Sequence, residues 1–290
     1  MFVSFENLFQ YTPMEYYIIS HVLTLGFAVM LAALFYFVMT VRTVAPRYRI
    51  SSVLSVVVMV SAFLILLAQQ LNWAAAFDYN PVTGLYERAV TATIVNGQEI
   101  VTATEPFTNG YRYLNWLIDV PMLLFQILFI VEITKERRAT LRNWFFFSGA
   151  MMIVTGYIGQ FYETADDLTP FYVWGAISTV FFFHVLYLIY RVIQESRKSL
   201  SAEAGRVMNT ILIVFVVSWF LYPGAYLMPV LLNSVEGVVG RQITFTIADV
   251  TSKVLYGVLL TQVAQIRSRE EGFVSDMGTP DSVPAPAVGD

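Results

Sequence analysis

The sequence predicts an all-α membrane protein built as a bundle of seven transmembrane helices. Of its 290 residues, 57% are hydrophobic and only 13% are charged, and the mean hydropathy is +0.63. This composition is typical of a chain that crosses a bilayer many times, and it excludes a soluble domain. Seven apolar runs, each long enough to span about 30 Å of hydrocarbon, lie at residues 15–41, 51–77, 111–133, 143–163, 170–193, 207–232 and 240–266.

The basic residues indicate the orientation of the bundle. Thirteen of the seventeen Lys and Arg residues fall at one end of the predicted spans, whereas most acids outside the spans fall at the other end. The positive-inside rule assigns the basic end to the cytoplasm, so the N-terminus lies outside and the C-terminus inside. The thirteen residues are Arg42, Arg47, Arg49, Lys135, Arg137, Arg138, Arg142, Arg191, Arg197, Lys198, Arg206, Arg267 and Arg269.

The longest external connection joins the second and third spans, from about Asp78 to Asn109. Its segments RAVTATIV and QEIVTAT flank Asn96-Gly97, a dipeptide typical of two-residue hairpin turns, so a small external β-hairpin is expected here. Residues 1–270 are predicted to form one seven-helix domain. Residues 271–290 are rich in Pro, Asp, Ser and Gly, and are expected to be a disordered cytoplasmic tail.

Lys253 lies in the middle of the last apolar run, and Asp249 precedes it by one helical turn. An ionisable residue at this depth costs at least ~2.5–3.5 kcal/mol to insert, which makes a functional role the default interpretation. Two interpretations remain open at this point. The pair is either a buried ion pair or an amine that forms a Schiff base with an aldehyde.

The third predicted helix carries a stripe of four polar residues. Arg112, Asn115, Asp119 and Gln126 are spaced by three, four and seven residues, so they share one face and climb ~21 Å along the helix axis. Such a stripe should face the interior of the bundle. Interhelical hydrogen bonding alone is the alternative for Asn115 and Gln126, but Arg112 and Asp119 are too costly to bury for that purpose.

Aromatic residues are expected at the same level of the membrane as Lys253. The third and seventh helices both run inward, which brings Asp119 to a depth similar to that of Lys253. Aromatic side chains at helical spacing usually form core, but around a buried lysine they predict a pocket for a long apolar ligand. The aromatic residues concerned are Trp116, Trp174, Trp219 and Tyr222, and Pro223 follows Tyr222 directly.

These segments resemble a known family. DVTSK in the last run, RYLNWLIDVP in the third and WFLYP in the sixth are similar to the microbial rhodopsins, seven-helix proteins that bind retinal as a Schiff base. Asn115, Asp119 and Gln126 are similar to the NDQ motif of light-driven sodium pumps. Outward proton pumps typically carry Asp and Thr at the first two positions and an acid at or near the third, and chloride pumps lack the acid of Asp119.

The resemblance implies a role for each matching residue. Lys253 carries retinal, Asp119 is the counterion and proton acceptor, and Asp249 with Asn115 binds sodium transiently. Arg112 gates the outer side of the ion path, with Gln69 of the second helix beside it. The retinal pocket is implied to include Trp116, Trp174, Gly175, Ser178, Trp219, Tyr222 and Pro223. Gln126 is implied to take the place of the inner proton donor of a proton pump. The ion path is implied to include Ser52, Ser55, Ser61, Gln69 and Thr261, with Glu6, Glu163 and Arg241 as an external exit cluster.

Two residues depart from the sodium-pump pattern at the cytoplasmic mouth. Ser52 stands where such pumps carry Asn, and Thr261 where they carry Gly, which leaves uptake selectivity open. The resemblance also implies a homo-oligomer, commonly a pentamer, with Glu105 and His21 at the interface and an interface sodium ion near Glu105. His21 is interpreted equally well as a lone histidine with its hydrogen bonds satisfied.

The resulting prediction is a light-driven outward sodium pump in the plasma membrane of a bacterium, which transports protons when sodium is absent. Three alternatives remain: a light-driven proton pump, a sensory rhodopsin, and a retinal-free transporter or receptor with a structural Lys253–Asp249 pair. Lipid is the expected surrounding, and neither nucleic acid nor an obligatory transducer is expected. The chain has no Cys and shows no nucleophile–base pair or metal cluster, so an enzyme is not predicted.

Overall fold

The computed structural model describes residues 4–95 and 98–275. Within them, seven helices cross the bundle, as the apolar runs predict. The seventh consists of two α-helices joined by a π-helical turn. The helices are α1 Pro13–Thr40, α2 Arg49–Ala76, α3 Gly110–Gln126, α4 Lys135–Gln160, α5 Thr169–Ser196, α6 Ala202–Leu232, α7 Val235–Asp249, the π-helical turn Val250–Leu255, and α8 Tyr256–Glu270.

Five of the helices are long and apolar enough to span a membrane by length and composition alone. The other two are α3, which has 17 residues before a 3-10 turn at Ile127–Phe129, and α4. Helix α4 begins at Lys135, whereas the predicted span began at residue 143. Residues 135–142 of this helix include Lys135, Arg137, Arg138 and Arg142, so an apolar window cannot detect this segment although it is helical.

Local sequence signals set several helix ends. Thr12 and Glu15 form a capping box at the start of α1, with Pro13 as the first helical residue. Ser201 caps α6 through the backbone amide of Ala204. The same helix ends at Asn233, whose φ of 43° is the left-handed conformation that commonly stops a helix.

The external connection contains two antiparallel hairpins. Strand β3 (Val90–Val95) pairs with β4 (Gln98–Ala103), which confirms the predicted ribbon; its Asn96-Gly97 turn lies outside the described residues. A second hairpin, β1 (Phe77–Asn80) with β2 (Leu85–Arg88), was not predicted. The alternation in these four-residue strands is too short to separate them from loop. The predicted tail lies mostly outside the described residues, which end at residue 275.

Buried apolar side chains form two clusters. The larger fills the inner and middle levels of the bundle, and the smaller lies at the outer end. In the smaller cluster, Tyr11 packs edge-on against both Trp73 and Phe77, with ring centroids 5.2 Å apart in each pair. Backbone hydrogen bonds of 2.9 and 2.8 Å join Tyr11 to Tyr86 of β2. The segment before α1 is therefore fixed over the outer end, which positions Glu6 inside the protein.

Gly257 lies where the seventh helix packs closely against Phe37 of α1. A Cβ atom at this position would lie 2.6 Å from Cζ of Phe37, which is fully buried, and 3.3 Å from Oγ of Ser55. Gly257→Ala is therefore expected to lower the unfolding free energy by about 1–3 kcal/mol, the usual effect of overpacking. The thermal unfolding midpoint of the purified protein measures this change.

Gly205 supplies the matched control for this substitution. It is also helical, but apart from its own helix backbone and chain neighbours no atom lies within 4 Å of the point that a Cβ would occupy. Gly205→Ala should leave the midpoint unchanged or raise it slightly, since alanine favours a helix by up to ~1 kcal/mol over glycine. Equal midpoints for the Gly257 and Gly205 variants would contradict the packing argument.

Candidate functional site

Lys253 lies in the π-helical turn between α7 and α8, and only 1% of its surface is exposed. Its Nζ forms an ion pair with Oδ1 of Asp249, one turn earlier on the same helix. The helical spacing in the sequence predicted this shared face. A buried amine is stable only with such a partner, because an isolated charge in an apolar interior is costly.

Asp249 uses both of its carboxylate oxygens. Oδ1 accepts hydrogen bonds from Trp116 Nε1 at 2.9 Å and from the Tyr222 hydroxyl at 3.0 Å, in addition to Lys253. Oδ2 accepts from Arg112 NH1 at 2.5 Å. Asp249 is therefore the common acceptor for two buried cations and two aromatic donors.

The polar stripe of α3 faces the same interior, as predicted. Asn115 Nδ2 donates to Oδ2 of Asp119 at 2.7 Å and to the Ser61 hydroxyl at 3.3 Å. Seven residues after Asp119, toward the cytoplasmic end of α3, Gln126 accepts a hydrogen bond of 3.2 Å from the Ser55 hydroxyl. Within the described part of the chain, Oδ1 of Asn115 and Oδ1 of Asp119 are buried without a hydrogen-bond partner. These two free oxygens are acceptors available to a cation, a proton or water.

The structure arranges the two carboxylates differently from the sequence interpretation. Asp119 was expected to be the counterion of Lys253, yet the amine contacts Asp249, and no hydrogen bond between Asp119 and Lys253 is found among the described residues. The reason is local geometry. Each carboxylate is held by a donor four residues away on its own helix, Asp249 by Lys253 and Asp119 by Asn115.

A cavity extends from Lys253 between α3, α4, α5 and α6, and it encloses about 770 Å³ of empty space, part of it open to the surface. Apart from Lys253, its walls are almost wholly apolar or aromatic. The predicted pocket residues among them are Trp116, Gly175, Ser178, Trp219, Tyr222 and Pro223.

Two observations fit a long apolar aldehyde such as retinal. Gly175 has no side chain to fill the cavity, and a Cβ atom at this position would lie 3.2 Å from the Tyr226 ring. The Nε1 atom of Trp219 is buried without a partner in the described residues, and Trp219 lines the cavity. Trp174, also predicted, does not line the cavity. Its Cβ instead lies beside Gly159 of α4.

The outer end of the bundle holds a second buried charge cluster. Arg241 binds Glu6 at 2.5 Å and Glu163 at 2.6 Å, as the family resemblance implied for these three residues. Burial opposes ionisation of Glu6, but Arg241 and hydrogen bonds from Ser4 and Asn109 hold the pKa of Glu6 below its ordinary value. Burial raises the pKa of Glu163, so Glu163 is the carboxylate that takes up a proton first as the pH falls.

Gln242 and Asn109 are two amides that were not recognised from the sequence, and they connect the inner and outer charge clusters. Gln242 accepts from Arg112 at 3.4 Å and donates to Glu6 at 2.7 Å and to Asn109 at 2.9 Å. Gln69 was expected beside Arg112, but its Nε2 donates to Asn109 at 3.3 Å. Asn109 and Gln242 lie at the ends of apolar runs, where a polar residue carries no signal of burial.

The inner half of the ion path is much poorer in polar contacts. Ser52 is buried, and its hydroxyl has no partner in the described part of the chain, while the Thr261 hydroxyl donates to the Gly257 carbonyl at 2.9 Å. Among the described residues, every buried carboxylate lies at the level of Asp119 or further out. His21 and Glu105 are exposed and lie outside this site.

Comparisons with known proteins agree on one family. The chain matches the model of the bacteriorhodopsin-like proteins over residues 17–266. It is similar to archaerhodopsin-2 of Halobacterium sp. strain aus-2, with 30% identity over 162 residues that cover 55% of this chain and 59% of that protein. It is 24% identical over 158 residues to a green-light absorbing proteorhodopsin of gamma-proteobacterium EBAC31A08, covering 53% and 60% of the two chains. These alignments span less than two thirds of either relative.

Solved structures are similar over nearly the whole chain. The crystallographic structure of xanthorhodopsin, described as a light-driven ion pump with a dual chromophore, superposes with a TM-score of 0.78 at 29% identity. The match covers 91% of this chain and 99% of xanthorhodopsin. A thermophilic rhodopsin superposes with the same score, identity and coverage.

Lys253 is the only lysine within the walls of the cavity. If its amine is the attachment point of retinal, Lys253→Ala expressed with retinal should give a protein without a visible absorption band. Lys135→Ala, which removes an exposed lysine at the start of α4, should keep the band at full intensity. A stable visible band in purified, folded Lys253→Ala would place the linkage elsewhere.

Proposed function

Because the chain belongs to the bacteriorhodopsin-like family, we propose that it is a light-driven pump that exports sodium ions and uses retinal on Lys253. The observation that supports this proposal is the pairing of Asn115 with Asp119 beside the Lys253–Asp249 pair. Retinal is the characteristic chromophore of the family, and the apolar cavity next to Lys253 fits it. Bound as a Schiff base, retinal supplies absorption of visible light.

The residues around Lys253 oppose passage of a cation in the dark. A proton on the Lys253 nitrogen gives a fixed positive charge, and Arg112 adds a second one on the outer side. Two unit charges 4 Å apart interact by ~4 kcal/mol at an effective dielectric constant of 20. Sodium can therefore pass Lys253 only while that nitrogen is neutral.

Asp119 is the better proton acceptor of the two carboxylates. Both oxygens of Asp249 already accept hydrogen bonds, including one from Arg112, which stabilises its ionised form. Asp119 has a free buried oxygen and only one strong donor, Asn115. A proton placed on Asp119 removes its negative charge and leaves the Asn115 Oδ1 and the Asp249 carboxylate to bind sodium, which prefers oxygen ligands.

The inner side of the site favours sodium over proton transport. A proton pump needs a donor that returns a proton to the Lys253 nitrogen from the cytoplasm. On the cytoplasmic side of Asp119, the polar stripe of α3 continues with Gln126, which accepts a hydrogen bond from Ser55. Among the described residues, no buried carboxylate lies on the cytoplasmic side of Asp119. Asp119 itself then returns the proton, so no net proton transfer is required.

A proton pump is the second candidate function. A series of buried hydrogen bonds and ion pairs connects the site to the outer end. It runs through Arg112, Gln242, Glu6, Arg241 and Glu163. Such a chain suits proton release as well as cation release. We expect this activity when sodium is absent. The proton on Asp119 then leaves along the outer series of groups, and water from the cytoplasm returns a proton to the Lys253 nitrogen.

We further propose a bacterial plasma membrane as the location and a homo-oligomer, commonly a pentamer, as the assembly. His21 and Glu105 are exposed, which fits a role at an interface between subunits and an interface sodium ion near Glu105. The His21 ring lies 5.9 Å from that of Tyr17 on the same helix face.

The transported ion is identified by pH recordings on illuminated cell suspensions. In NaCl, light should drive proton uptake that a protonophore increases, because sodium export makes the cell interior negative. In KCl, light should acidify the medium, and the protonophore should abolish the signal. Cells that produce Lys253→Ala provide the control and should show no light response. Acidification abolished by the protonophore in both salts would leave only proton pumping.

The roles of the two carboxylates are separated by Asp119→Asn and Asp249→Asn. Infrared difference spectra should show a light-induced carboxylic acid in the wild type, absent in Asp119→Asn, and sodium export should stop in that variant. Asp249→Asn should keep the carboxylic acid signal and still lose most sodium export. Asp167→Asn, an exposed control, should match the wild type. Normal sodium export by Asp119→Asn would refute the assigned gating.

A further inference from the structure

A cleft at the cytoplasmic end of the bundle shares no lining residue with the cavity beside Lys253. It lies between the 3-10 turn Pro46–Tyr48, the connection from α3 to α4, and the end of α8. It encloses about 980 Å³ of empty space that is partly open to the surface. Its charged and aromatic walls come from Arg47, Tyr48, Phe129, Glu132, Arg138 and Arg267.

Two of the three arginines share one carboxylate. Arg267 is 5% exposed, donates to the Ile130 carbonyl at 2.5 Å and pairs with Glu132. Arg47 lies 3.6 Å from the same oxygen of Glu132 and also pairs with Glu271. The Glu132 side chain is 55% exposed although it pairs with both arginines.

Arg138 carries the charge that is not balanced. Its guanidinium lies 5.7 Å from the centre of the Phe129 ring, and its buried Nε has no hydrogen-bond partner among the described residues. The part of the chain that the structure describes contains no ion pair of Arg138. The preceding residue differs, because Arg137 pairs with Glu195 at 2.7 Å. Arg138 therefore presents an unpaired cation to a cleft that two other arginines line.

We propose that this cleft binds a phosphate group, carried either by an anionic lipid of the cytoplasmic leaflet or free in the cytoplasm. Guanidinium groups match phosphate oxygens through paired, charge-assisted hydrogen bonds. Basic clefts between transmembrane helices on the cytoplasmic side are suited to anionic headgroups. The Tyr48 hydroxyl donates to Glu271, which also pairs with Arg47, whereas Glu132 competes with the ligand for Arg47 and Arg267.

The test compares the wild-type protein, expressed with retinal, with its Arg138→Gln and Arg142→Gln variants. Arg142 is an exposed arginine on the next turn of α4, does not line the cleft and serves as the matched control. Each protein is reconstituted in nanodiscs of phosphatidylcholine with or without phosphatidylglycerol, and retained lipid is counted by native mass spectrometry. Arg138→Gln should retain phosphatidylglycerol about tenfold more weakly, the loss expected for a charge-assisted contact. Arg142→Gln should equal the wild type.

Two further arms identify the source of the phosphate and exclude a purely structural role. Inorganic phosphate is titrated into phosphatidylcholine discs at constant ionic strength, and thermal unfolding is followed. A rise in the midpoint that requires Arg138 assigns the site to soluble phosphate, and retention of phosphatidylglycerol alone assigns it to lipid. Glu132→Gln should tighten binding, since it removes the competing carboxylate, whereas a structural ion-pair cluster would only lose thermal stability.

The proposal is overturned if neither phosphate source binds. Equal retention by the wild type and Arg138→Gln would also overturn it, as would an equal loss in Arg142→Gln, because the effect would then be general surface charge. The proposal does not depend on which ion the protein transports, and its outcome is independent of the sodium assay.

Discussion

The structure depends on one carboxylate, Asp249, which neutralises two buried cations at once. Lys253 and Arg112 are both about 1% exposed, and each contacts a different oxygen of Asp249. Breaking a buried ion pair by removing one partner costs about 3–5 kcal/mol, because the remaining charge stays unpaired. With Asp119 nearby, the interior holds two cations and two carboxylates. That balance permits a lysine in the centre of the membrane. A proton that moves from Lys253 to Asp119 would neutralise both of these groups and leave Asp249 paired with Arg112.

Much of this arrangement could be predicted from the sequence, because helical spacing fixes which residues share a face. The Lys253–Asp249 pair and the stripe of Asn115, Asp119 and Gln126 follow from periodicity alone, and the seven helices follow from apolar runs. Contacts between different helices do not follow from periodicity. A count of residues from the membrane edge placed Asp119 and Lys253 at one level. It could not predict that Arg112, Trp116 and Tyr222, which lie on other helices, would all donate to Asp249.

Other features depended on contacts that periodicity does not describe. Gln242 and Asn109 are polar residues at the ends of apolar runs, and only the fold shows that they are fully buried between two charge clusters. Trp174 was assigned to the cavity by resemblance, yet it lies against Gly159. The first outer hairpin was missed because four-residue strands carry too little alternation. In each case a short-range pattern was overruled by packing between distant segments.

The polar contacts are distributed unevenly between the two sides of Lys253, and this asymmetry has a consequence for direction. Outward, Arg112, Gln242 and Glu6 form an unbroken series of hydrogen bonds. Inward, the Ser55–Gln126 pair is isolated, and the Ser52 hydroxyl lacks a partner in the described residues. A cation beside Asp249 therefore finds oxygen ligands ahead of it on the outer side and few behind it. In the proposed sodium export, a proton back on the Lys253 nitrogen repels the ion from the inner side. Arg112 holds Oδ2 of Asp249 on the outer side, so exit of the ion also requires Arg112 to move away from that contact.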